Sequence, residues 1–231
     1  MGNSIKMSEE EYQEIIEFFE GKLTKEDIDS IESLVVGHNI DLDFEGQDYY
    51  EYNFNNDSFS IFLEKFKFDF LTFPNLKVLN ILDDRIYELP EEVSYLKSLE
   101  KLDLSTCECL KDISYEIGEL SNLKILNLSH CECLKRIPSE IGELSNLEKL
   151  DLSRCECLKY IPDEIGELSN LKILDLSSCE RLRELPSSIG NLTNLEELNL
   201  GGTDIETVPP EILELEKKGC KIIRPYRMML E

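Results

Sequence analysis

No alanine occurs anywhere in the 231 residues, as would suit a chain encoded by a genome poor in G and C. No apolar run approaches the roughly 18 residues that a membrane-spanning helix needs. The opening residues, MGNSIKMSEE, lack the apolar stretch of a secretory signal, and Lys6 stands where myristoylation at Gly2 would want Ser or Thr. No GxxxxGK(S/T), GxGxxG, HExxH or GxSxG string is present, so the common phosphate, dinucleotide, zinc-protease and hydrolase signatures are missing. Histidine is scarce, with only His38 and His130. His130 adjoins Cys131, but a Cys–His nucleophilic pair needs contact in space and a third group to orient the base, which sequence adjacency does not supply. The expectation is a cytoplasmic, non-enzymatic monomer without cofactor or bound metal.

Basic residues are also few, 24 against 49 acidic ones, for a formal charge of −25. Residues 1–75 alone hold 18 acids and 5 bases. Such a field repels nucleic acid and anionic lipid, whose phosphates need Lys and Arg. Neither is expected as a partner. Eight cysteines in a chain of this length do not form the dense framework of a secreted disulfide miniprotein.

What is present is a repeat. Leu99, Leu123, Leu147, Leu171 and Leu195 open the same phrase every 24 residues. Residues 118–141 and 142–165 differ at only six positions. The first four of these units carry LxxLxLxxCxxL, as in Leu123, Leu126, Leu128, Cys131 and Leu134, where the alternation predicts a strand with one buried face. Then comes IPxEIGELSNL, in which Pro138 favours the start of a helical piece and Gly142 keeps it short. One such unit cannot bury its own leucines, whereas stacked units form a continuous core.

The phrase LDLSxCxxLxxIPxEIGxLxNL resembles the leucine-rich-repeat family. It is similar to the repeat regions of plant TIR-type immune receptors and of the intracellular plant Ras-group repeat proteins. The resemblance implies an α/β solenoid, a horseshoe with a parallel β-sheet on its concave face and short convex arms. It also implies a surface that binds another protein. Four segments follow: a helical N-terminal cap over 1–30, a degenerate first rung with an acidic, aromatic insertion over 31–75, repeats of 23–24 residues over 76–215, and a C-terminal cap over 216–231. Ser8 and Glu11 form a capping box ahead of the stripe Tyr12, Ile15, Ile16 and Phe19, which supports the first cap. Ile31, Leu34, Val36, Asn39 and Leu42 mark the first rung, and DFEGQDYYEYNFNND after it reads as a surface loop. GCKIIRPY can supply a last strand.

The cysteines fall in columns. Cys107, Cys131, Cys155 and Cys179 take the place where many repeats carry Asn, and are expected to be buried and structural. Cys109, Cys133 and Cys157 complete three C-E-C triplets that stack on adjacent rungs. They do not match the spacing of a zinc site. A thiol-based metal or redox role for them stays open as an alternative.

The sheet face opposite the leucines is the candidate site. One column runs Lys77, Glu100, Lys124, Glu148, Lys172, Glu196, an alternation that lets neighbouring rungs pair. Beside it stand Lys101, Ile125, Lys149 and Ile173, then Asp103, Asn127, Asp151 and Asp175, then His130, Arg154 and Ser178. Four of the six differences between the two closest units lie on this face, while Glu119, Glu143 and Glu167 elsewhere do not change. Lys101, Lys149 and Arg154 are expected as charged contacts, Ile125 and Ile173 as apolar ones. Asp103, Asp151 and Asp175 are expected to accept hydrogen bonds from the partner, a protein or peptide. A regulatory subunit that inhibits an enzyme by occlusion is the other reading of such a surface.

Overall fold

The computed structural model describes residues 33–37, 50–53, 75–82, 86–89 and 91–225. The expected cap helix over residues 8–30 lies outside them. So do Ile31, Asn39 and Leu42 of the degenerate first rung.

Each repeat makes a three-residue strand from its L-x-L core: Lys101–Asp103 (β5), Ile125–Asn127 (β7), Lys149–Asp151 (β8), Ile173–Asp175 (β9) and Glu197–Asn199 (β10). Val78–Leu82 (β3) and Ser33–Gly37 (β1) extend this series toward the N-terminus. All pair in parallel and in register, Leu102 with Leu126, Leu126 with Leu150, Leu150 with Leu174. The backbone bonding outlasts the strands, as when the Arg154 N–H donates to the Ser177 carbonyl at 2.7 Å. The central leucine of β5, β7, β8, β9 and β10 is buried, its neighbours are half-buried or exposed, and the pattern is that of a sheet with one face in the core.

Behind the sheet the chain returns through short 3-10 turns, including Tyr115–Glu119, Ser139–Glu143, Asp163–Glu167 and Ser187–Asn191. Pro138, Pro162 and Pro186 stand just ahead of three of them with φ near −66° (−65°, −67° and −67°), as the ring requires. The glycine in each turn has a packing reason. A Cβ on Gly118 or Gly142 would sit 2.7 Å from the carbonyl oxygen of Glu140 or Glu164 in the next rung. Glycine lets these turns stack closely. Leu123, Leu126, Leu128, Leu134, Ile137, Ile141 and Leu144 then fill one layer of a single continuous core. Burying each such side chain is worth about 1.5–3 kcal/mol before ordering costs. Glu88–Leu89 (β4) and Asp112–Ile113 (β6) add a two-strand ladder on the return side.

The two ends differ from the repeats. Tyr50–Asn53 (β2) pairs in parallel with β1 and forms the edge of the sheet. Part of the insertion expected to be a loop is therefore a strand. The alternation Tyr50, Glu51, Tyr52, Asn53 is a β-type signal that the acidic composition around it conceals. The sheet order is β2-β1-β3, so the chain passes outward and then returns across β1. At the far end Pro210–Lys217 (α1) buries Ile212 and Leu215. Lys221–Ile223 (β11) pairs with β10 as the last strand, where GCKIIRPY was expected to supply one.

Candidate functional site

Register fixes the outward rows. Lys101, Ile125, Lys149, Ile173 and Glu197 are successive cross-strand partners, as are Asp103, Asn127, Asp151, Asp175 and Asn199. The first row alternates ammonium and aliphatic groups. Ile173 is 37% exposed, the most open isoleucine of the described residues, and Ile125 is half-buried. A branched apolar side chain flanked by lysine stems forms a small apolar strip with charged tips.

The second row is anchored inside the chain. The Oδ1 atoms of Asp103, Asn127, Asp151 and Asp175 accept the backbone N–H of Ser105, Ser129, Ser153 and Ser177 at 2.8–3.1 Å. Each is an Asx turn that closes its strand, a duty open to Asp and Asn alike. That equivalence explains the mixture of the two residue types. The Oδ2 atoms are also engaged: Asp103 with Lys101 at 3.2 Å, Asp151 with Lys149 at 3.3 Å, and Asp175 with the Asn199 amide at 3.2 Å. Burial pushes the Asp103 carboxyl up. The Ser105 hydroxyl and N–H, with the Lys101 ammonium, outweigh it and hold the group below the usual carboxylate range. Holding the turn is thus the first role of these side chains.

The neighbouring column pairs as its alternation requires. Lys124 meets Glu100 and Lys172 meets Glu148, both at 2.6 Å. These pairs lower the Glu100 and Glu148 carboxyls, through the hydrogen-bonded lysine first and its charge second.

The third group turns out of the sheet. Thr106, His130, Arg154 and Ser178 have φ of 67°, 60°, 60° and 58°, and Gly202 takes the same place at 78°. The left-handed turn ends each strand and sets these residues at its rim, with Arg154 exposed and His130 and Ser178 half-buried. A non-glycine residue in that region is strained by about 1–2 kcal/mol. Gly202 was the one sequence signal of it.

Two side-chain ladders tie neighbouring rungs together, one buried and one exposed. Cys107, Cys131, Cys155 and Cys179 are fully buried, and their thiols donate to the carbonyls of Ile81, Leu104, Leu128 and Leu152 in the preceding rung at 3.1–3.3 Å. Burial drives the Cys131 and Cys155 thiols far above their ordinary range, and Cys179 to about 12. Cys131 beside His130 is therefore a neutral, enclosed hydrogen-bond donor and not an activated nucleophile. Asn122, Asn146, Asn170 and Asn194 form the other ladder, each amide donating to a carbonyl of the rung before at 2.7–2.8 Å. The Asn ladder escaped sequence reading although its 24-residue period was visible.

A family model described as a leucine-rich repeat region matches residues 69–180, and a second model, leucine rich repeat, matches residues 170–192. Together they run over more than half of the sequence. Neither is a catalytic family. Against the curated proteins the sequence finds no significant match. Among solved structures, the leucine-rich repeat domain of the type III effector XopL superposes with a TM-score of 0.56 at 25% identity, over 69% of this chain and 64% of that one. A Leptospira interrogans leucine-rich-repeat protein shares 30% identity over 66% of this chain and 43% of its own, with a TM-score of 0.47. Plant peptide hormone receptor RGFR1, in complex with RGF2, shares 27% over 67% and 29%, also at 0.47. The chain thus spans less than two thirds of the length of each of these solved proteins.

Proposed function

We infer, for a chain that belongs to the leucine-rich-repeat family, that the outward face of its parallel sheet holds a protein or peptide partner without catalysing a reaction. The observation that carries this reading is the row in which Ile125 and Ile173 alternate with Lys101 and Lys149 on a rigid ladder. Protein interfaces combine apolar contacts with a polar rim. Here the rim carboxylates are already oriented by their own turns. Little conformational freedom is left to lose on binding, so more of the contact energy appears as affinity. Leucine-rich repeats generally mediate protein–protein interaction, which supports the same reading. The proposed contacts are Lys101, Ile125, Lys149, Arg154 and Ile173, with Asp103, Asn127, His130, Asp151, Asp175 and Ser178 around them. The proposed location is the cytoplasm, a reducing environment suited to eight cysteines that all remain thiols. No helix among the described residues is long and apolar enough to cross a membrane.

The test begins with affinity capture and identification of a partner. The double variant Ile125→Glu, Arg154→Glu should then weaken binding by about 2 kcal/mol or more, roughly 30-fold, without lowering the melting temperature. Glu143→Lys with Glu167→Lys, on the opposite side, should leave affinity unchanged. Loss of binding in the second pair and not in the first would overturn the assignment.

A further inference from the structure

The C-E-C triplets supply a row of thiols that neither the core nor the sheet face uses. Cys109, Cys133 and Cys157 are half-buried, in contrast to the enclosed column two residues earlier. Their turns are bonded to one another, because Cys133 donates its backbone N–H to the Glu108 carbonyl at 3.0 Å and Cys157 donates to that of Glu132 at 3.1 Å. Equivalent positions of bonded neighbouring rungs repeat about every 4.8 Å. The row ends at the next rung, where Arg181 takes the place of a fourth cysteine.

That spacing selects a coordination geometry. Among the described residues no three His, Cys, Asp or Glu side chains converge as a metal-binding group, which leaves no tetrahedral zinc-type centre. A linear two-coordinate centre needs only two sulfurs. At the zinc–thiolate bond length of about 2.3 Å, an upper bound for a two-coordinate centre, those sulfurs would stand about 4.6 Å apart, within reach of the rung repeat. Thiolate ligands select soft cations, Cu(I) foremost among the common metals.

We propose that Cys109, Cys133 and Cys157 form a binding site for Cu(I), held between thiolates of two adjacent rungs with Cys133 as the shared ligand. Binding one ion converts two thiols to thiolates and releases two protons. The centre becomes an anionic bis-thiolate and no electron is transferred. Glu108, Glu132 and Glu156 lie between the paired cysteines and draw cations toward the row. Lys111, Lys135 and Lys159, exposed two residues further on, supply positive charge for the bound anionic centre.

Reduced protein, kept free of oxygen, is titrated against Cu(I) held by a chromophoric chelator. Wild type should withdraw copper from the chelator. Cys109→Ser and Cys157→Ser should each retain that ability, since each leaves one adjacent pair. Cys133→Ser should lose it by more than the roughly 100-fold that removal of an outer-shell partner costs, because the two remaining thiols stand about 10 Å apart. The double variant Cys109→Ser, Cys157→Ser should lose it equally. X-ray absorption of the copper-loaded wild type should show two sulfur neighbours, a readout that does not depend on any variant folding. Failure of wild type to compete, retention of copper by Cys133→Ser, failure of both single end variants, or three sulfur neighbours would each overturn the proposal.

Discussion

Replacing Cys131 by alanine isolates the contribution of one step in the buried thiol ladder. Cys131 is fully enclosed and its Sγ lies 3.3 Å from the Leu104 carbonyl of the rung before. Removing the sulfur forfeits about 0.8 kcal/mol of apolar burial, to which the small void adds a few tenths. The Leu104 carbonyl still accepts the Cys107 N–H at 3.2 Å, so it is not orphaned. The hydrogen-bond loss is then only its net value, about 1 kcal/mol. The total is about 2 kcal/mol, which in a protein of this size lowers the melting temperature by about 4–8 °C. Cys131→Ser keeps a donor of nearly the same shape and should cost less than 1 kcal/mol. The fold already accepts a hydroxyl in this column, since buried Thr203 donates to the Leu200 carbonyl at 2.8 Å. Urea unfolding of both variants measures the difference. If serine proves as destabilising as alanine, the thiol is only a small apolar filler and the hydrogen-bond ladder contributes nothing.

Two further outcomes follow from the same geometry. The buried thiols have folded pKa values raised above the unfolded value near 8.5, so their contribution is complete below that pH and is lost as pH rises toward the folded value, about 12 for Cys179. Stability should therefore decline above about pH 8.5, more shallowly in Cys179→Ser; equal alkaline slopes by denaturant titration would refute this. At Arg154, with φ of 60°, glycine should be tolerated or slightly stabilising, while valine should cost about 1–2 kcal/mol or more because its branched side chain resists the left-handed region. An unchanged melting temperature for Arg154→Val would contradict that backbone assignment.

The period of 24 residues and the L-x-L alternation were enough to place β5, β7, β8, β9 and β10 and the buried leucines. Those features depend only on which residues face the core, and a repeated pattern repeats the answer. The Lys/Glu alternation likewise announced its own ion pairs, because residues one repeat apart must become neighbours in a solenoid. Other features depend on contacts that no single repeat contains. Gly142 looked like a helix breaker until the Glu164 carbonyl of the next rung was seen against it. Asp103 looked like a free acceptor, but its oxygens are engaged by Ser105 and Lys101. Tyr50–Asn53 read as loop because its composition is acidic, and only the unpaired edge of β1 makes it a strand. The sequence by itself determined the rung, since hydrophobic periodicity is local. The tertiary structure decided what each polar residue on the rung is free to do, since that depends on the backbone groups of the rung beside it.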